Sequence, residues 1–204
     1  MPSNSRSTRR PSSPLSSPLS GSLSRALFGA IAGLALFAAA PMASAHDEVT
    51  RKSLGDPKFP IAAAVTVPAG FETTYLSGNL PDVANPDAPK GSLEAYGNTE
   101  TQTASVLKKL GDTLTSLGLG YGDVVSATVY LVGDPGKGGE IDFAGMNAAF
   151  SKVFGSETQP NKPARSTVKI AGLVIPGALV EIDFIAVHKP ESRKGEKSSK
   201  AKAP

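Results

Sequence analysis

The 204-residue chain has no cysteine and no tryptophan, and only two histidines, His46 and His188. Without cysteine there can be neither disulfides nor thiolate chemistry. The two histidines are far apart and neither has a metal-binding partner nearby in sequence, so no histidine-based zinc site and no Ser-His-Asp set is expected. Gly133 to Gly139 supplies glycines and a lysine but lacks the spacing of a phosphate-binding loop, and reads as a plain turn. Aromatic residues make up only 6% of the chain, and no stripe interleaves them with bases. That pattern argues against a nucleic-acid partner.

Positive charge is also scarce where a fold would form. The formal net charge is +3, but the first 45 residues hold four arginines and no acid. From Lys189 to Pro204 there are six bases and two acids. The stretch between, His46 to His188, has 11 bases against 16 acids, net −5. The basicity therefore belongs to the ends, and the body is acidic.

The N-terminal end has the three parts of a secretory signal. Arg6, Arg9, Arg10 and Arg25 form a basic flank, Ala26 to Ala40 an apolar run, and Ala43-Ser44-Ala45 a small-residue cleavage site. The run is shorter than the roughly 20 residues that span a bilayer. Pro11, Ser12 and Ser13 follow Arg9-Arg10, so the pair reads as plain flank and not as a twin-arginine signal. The expectation is a signal over 1–45, secretion across the inner membrane to the periplasm, and no stable membrane insertion after cleavage. A flexible lead-in is expected over 46–59, one domain over 60–188, and a disordered basic tail over 189–204.

Within the body, Pro60 to Val67 and Thr73 to Ser77 read as strands, with Pro68-Ala69-Gly70 turning a hairpin between them. Gly78 to Gly97 is a long loop with three prolines. Thr99-Glu100-Thr101-Gln102 reads as a capping box. Val106, Leu107, Leu110, Leu114 and Leu117 follow at helical spacing. Asp123 to Val132 reads as a central strand, and Phe143, Met146, Phe150 and Val153 mark a second helix. Ser166 to Ala171 and Leu179 to Val187 are the last strands, joined through Pro176-Gly177. The order β-β-α-β-α-β-β predicts an α+β sandwich with both helices on one face. Along the last strand, Val180, Ile182, Phe184 and Ala186 make an apolar set for the helices. Leu179, Glu181, Asp183, Ile185 and Val187 are too apolar for open water and too charged for a core. A second copy of the chain is the simplest cover for that face.

Two residues stand out chemically. Arg165 precedes a strand, where its fork of donors suits a carboxylate. Glu181 lies within an apolar strand, and a carboxylate in a partly dry site can move a proton near neutral pH. The same two side chains would equally serve a salt bridge at an interface.

Several blocks together resemble the RidA/YjgF family. They are Tyr75-Leu76-Ser77-Gly78-Asn79-Leu80-Pro81, Gln102 with Val106-Leu107, Leu117-Gly118-Leu119 through Gly122-Asp123-Val124-Val125, Asp142-Phe143-Ala144-Gly145-Met146-Asn147, and Pro163-Ala164-Arg165-Ser166-Thr167-Val168. Ala171-Gly172-Leu173 and Val180-Glu181-Ile182-Asp183 complete the set. The resemblance runs from about Pro60 to Val187. It implies a chorismate-mutase-like fold, a homotrimer with the sheets forming an inner barrel, and sites in clefts between subunits. It implies hydrolysis of reactive 2-imino acids, the tautomers of enamines, to 2-keto acids and ammonia, as in 2-iminobutanoate/2-iminopropanoate deaminase, with no metal or organic cofactor. The family's substrate-anchoring arginine matches Arg165 and its water-managing acid matches Glu181. Asn147 and Thr167 match pocket-lining positions; Thr167 stands where a cysteine is common. Phe59 to Ala64 lacks the family's pocket-closing tyrosine, and the loops Asp82 to Asn98 and Gly133 to Ile141 are longer than in compact members. The alternatives are a non-enzymatic small-carboxylate-binding or chaperone-like protein and, against the acidic body, a ribonuclease.

Overall fold

The computed structural model describes residues 47–56 and 58–190. The expected signal over 1–45 and the tail from residue 191 lie outside these described residues. Six strands form: β1 (Thr50–Ser53), β2 (Ala62–Thr66), β3 (Glu72–Asn79), β4 (Val124–Val132), β5 (Ala164–Ile170) and β6 (Val180–His188). Three helices accompany them, α1 (Leu93–Tyr96), α2 (Thr99–Ser116) and α3 (Phe143–Val153). The four-stranded sheet has the order β3-β6-β4-β5. β6 runs antiparallel to β3 and β4, whereas β4 and β5 are parallel.

This topology explains why both long helices share a face. β3 and β4 are each antiparallel to β6, so they run the same way, and α2 connects them. α3 connects the parallel β4 and β5. Both crossovers move in one direction along the sheet, and crossovers keep one hand, so both helices fall on the same side. β6 then inserts between β3 and β4. The helices bury Val106, Leu107, Leu110, Leu114, Met146 and Phe150 against Val180, Ile182, Phe184 and Ala186 of β6. Each such side chain contributes about 1.5–3 kcal/mol on full burial. Phe154 stacks on Phe150 at 4.6 Å and meets Phe184 edge-on at 5.7 Å. Leu117, placed by the periodicity on this face, is exposed beyond the end of α2.

Several local expectations need correction. The hairpin through Pro68-Ala69-Gly70 does not form: β2 pairs with β1, and β3 pairs with β6. β3 has Leu76 to bury and finds Phe184 across the ladder, whereas β2 is mostly alanine. A turn motif cannot register that difference. Thr50–Ser53 is a strand and not a loose lead-in. Arg51 ties it down by donating from Nη2 to the Gly122 carbonyl at 2.9 Å and the Val124 carbonyl at 3.3 Å. The long loop contains α1, capped by Ser92, whose hydroxyl accepts from the Ala95 N–H. The last two strands are not neighbours, because β4 lies between them.

The capping box is also replaced. Asn98 caps α2 by accepting from the Thr101 N–H at 2.9 Å. Gln102, fully buried, instead donates to the carbonyls of Gly97 (2.9 Å) and Gly177 (3.1 Å) and accepts from the Leu179 N–H at 2.7 Å. It pins the segment before β6 to the start of α2. Among the described residues no helix is long and apolar enough to cross a membrane.

Candidate active site

Cross-strand partners point to the same side of a sheet. Arg165 is partnered with Ala127 and Thr167 with Val129. Ala127 and Val129 are buried beneath the helices, so Arg165 and Thr167 face the helices too. Glu181 is partnered with Tyr130, which alternates with those buried residues. Glu181 therefore lies on the opposite, outer face. The two candidate catalytic residues do not meet within one chain.

Arg165 rests on α3. Phe143, Asn147 and Phe150 recur at spacings of four and three residues, which puts them on one stripe of the helix. The Arg165 guanidinium lies 4.5 Å from the Phe150 ring centroid and 5.7 Å from that of Phe143. Its Nη2 donates to Asn147 Oδ1 at 3.0 Å. Its Nη1 is buried without a hydrogen-bond partner, and so is the Thr167 hydroxyl two residues along the strand. Burial lowers the Arg165 pKa from the ordinary guanidinium range to about 10, so the group is still cationic at neutral pH. Among the described residues no carboxylate forms an ion pair with it. A positioned, half-buried cation with spare donors is suited to an incoming carboxylate.

Glu181 lines a cavity of about 210 Å³ with Tyr130, Ile170, Gly172, Leu173 and Val174. Its carboxylate lies over Gly78 of β3, in the space a side chain there would fill. The ladder between β3 and β6 is irregular at this point, between Leu76 and Asn79. Glycine and irregularity together leave room for the acid. Tyr130 is drawn toward Asp183, which raises the phenol pKa chiefly by accepting its hydrogen bond.

Asn147, Thr167 and Arg165 thus gather on one side, while Glu181 stands apart on the other. The helical spacing of Phe143 and Phe150 is visible in the sequence and marks them for the core, but nothing in it marks them as the ring platform under Arg165. Tyr130 as the neighbour of Glu181 depends on strand order, which carries no local signal. Among the described residues no group of three or more His, Cys, Asp or Glu could hold a metal ion.

The family model for Endoribonuclease L-PSP matches residues 63–188. The 2-iminobutanoate/2-iminopropanoate deaminase of Rattus norvegicus is 31% identical over 149 residues, covering 72% of this chain and 97% of its own. This chain belongs to the RidA/YjgF family. Protein DfrA of Myxococcus xanthus is another relative of this Rid chain, 34% identical over 143 residues, covering 70% of this chain and 92% of its own. Among solved structures, a conserved Rid protein of unknown function from Yersinia pestis is 22% identical, with a TM-score of 0.50, and covers 69% of this chain and 98% of its own. That likeness speaks to the Rid fold alone, and the sheet with its two one-sided helices agrees with it.

Proposed function

We propose that this Rid protein hydrolyses 2-imino acids to 2-keto acids and ammonia in clefts completed by a second copy of the chain. The observation that carries the reading is Arg165: a half-buried cation, oriented by Asn147 and Phe150, with a donor left over and no carboxylate paired with it among the described residues. Related proteins named as imine deaminases support the substrate class.

In this reading Arg165 clamps the substrate carboxylate and Thr167 lines the pocket beside it. Glu181, reaching from the neighbouring copy, accepts a proton from water as the water oxygen bonds to the imine carbon. Glu181 returns that proton to the nitrogen, already protonated once in the imine, and the C–N bond breaks to release ammonia as the carbinol oxygen closes the C=O bond, its remaining proton passing to Glu181 and on to ammonia. The chemistry needs no oxidant, and holding substrate and water together provides most of the advantage.

The outer face of the sheet supports assembly. Tyr75 is 77% exposed and Val174 86% exposed, with Val168 and Ile185 on the same face. A homotrimer with this face lining an inner barrel would cover them. We further propose that the protein acts outside the cytoplasm, on the strength of its basic flank, apolar run and Ala-Ser-Ala site.

Purified protein is expected to speed 2-keto acid release from imines made in situ by an amino acid oxidase. Glu181→Gln is expected to lower kcat by about 10²-fold, the usual contribution of a general acid–base group, while 2-keto acid binding persists. No acceleration with any of several amino acids, or full activity in Glu181→Gln, would overturn the proposal. Saturable keto acid binding with no turnover by the unaltered protein would leave a small-carboxylate-binding module.

A further inference from the structure

We propose a second ligand site, centred on Arg51, that takes a compact oxyanion bearing two or more charges. The site lies where β1, β2 and the loop before β5 meet. A cavity of about 230 Å³ there is lined by Arg51, Lys52, Ser53, Ala62, Pro160, Asn161 and Lys162. Three of the lining residues are basic and none is acidic. That balance is distinctive in a body with five more acids than bases. Arg165 does not line the cavity.

The guanidinium of Arg51 is built into the fold. Its Nη2 bonds to the backbone carbonyls of Gly122 and Val124, which orient the group without themselves carrying a countercharge. Its Nε is buried without a hydrogen-bond partner. Among the described residues no carboxylate lies within ion-pair distance of it. Burial lowers its pKa, with Asp123 partly opposing the shift.

A second cavity, about 340 Å³, lies on the other side of Arg51 and is also lined by Asn161. It contains His188 and Lys189 but also Glu48 and Asp123, so an anion would be opposed there. The acid-free cavity is therefore the anion site. Arg51 supplies forked donors, Lys52 a second charge, and Ser53 and Asn161 neutral polar groups. Phosphate esters and small polycarboxylates share the chemistry these groups recognise.

The test is calorimetric titration of the full chain with inorganic phosphate and, separately, citrate. The expected result is saturable one-to-one binding of at least one of them. Phosphate alone would identify a phosphate site, and citrate alone a polycarboxylate site. Arg51→Gln and Lys52→Gln should each weaken binding at least about tenfold, and Arg165→Ala should leave it unchanged. Lys52 is exposed, so its variant tests the site even if Arg51→Gln unsettles β1. Three outcomes would overturn the proposal: no saturable binding of either anion, binding that survives Lys52→Gln at full strength, or binding abolished by Arg165→Ala. None depends on imine turnover, so the proposal stands or falls apart from the deaminase reading.

Discussion

Arg165→Ala is expected to cut kcat/KM for 2-keto acid release by roughly 10²–10³-fold while the protein stays folded. Removing one partner of a desolvated charge pair costs about 2–5 kcal/mol, and about 1.4 kcal/mol corresponds to tenfold. Arg165 sits on an edge strand, half-buried, so its loss should disturb the core little. Arg165→Lys should rescue only part of the activity. A lysine ammonium has the charge but not the planar fork that bonds Asn147 and a carboxylate at once. It would also lose the stacking on Phe150. Since burial brings the Arg165 pKa to about 10, substrate binding should hold through neutral pH and decline as pH rises through that value. The check is steady-state kinetics of both variants beside thermal melts. Full activity in Arg165→Ala would remove the clamp from the mechanism.

Gln102→Leu should damage the fold severely for a single polar substitution. Gln102 makes three hydrogen bonds from a fully buried position. Leucine fills a similar volume but leaves the Leu179 N–H and two carbonyls without partners. Each orphaned buried group costs about 1–3 kcal/mol. A loss of about 3–5 kcal/mol follows, which for a domain of this size lowers Tm by about 10 °C or more. The effect should also reach the site, since Leu179 is two residues before Glu181 and Gly177 belongs to the segment that leads into β6. Gln102→Glu keeps an acceptor for Leu179 but turns a carboxylate oxygen on the two carbonyls in a fully buried position, and should be at least as damaging at neutral pH. Denaturant unfolding followed by circular dichroism measures all three proteins. A change below about 1 kcal/mol would contradict the role assigned to Gln102.

The sequence made much of the fold legible wherever periodicity reported burial directly. Alternation places Val180, Ile182, Phe184 and Ala186 on the helix side, and they are buried there. Helical spacing places Val106, Leu107, Leu110 and Leu114 on one face, and they are buried too. Pairing was less legible. β1 is Thr-Arg-Lys-Ser and shows no apolar alternation; backbone bonds and Arg51 hold it. Gln102 fits a capping pattern, but its side chain turns inward to partners about 75 residues away, which no local pattern encodes.

The site divides in the same manner. Arg165, Asn147 and Thr167 could be picked out by motif, and the structure brings them together. Glu181 could be picked out as well, but the motif does not say that it lies on the other face. That separation follows from register: Arg165 opposite Ala127, Glu181 opposite Tyr130. It also explains why, among the described residues, Arg165 has no carboxylate as an ion-pair partner while Glu181 stands on the other face of the sheet.

Subunit mixing tests that division most directly. Arg165→Ala and Glu181→Gln are each expected to be nearly inactive alone. If a cleft takes its arginine from one copy and its glutamate from the next, co-assembly at equal amounts restores about a quarter of the clefts to intact form. Activity should return to about that fraction of the unaltered protein once native mass spectrometry finds mixed assemblies. If mixed assemblies form and remain as inactive as the separate variants, the two residues do not act across copies, and the account fails.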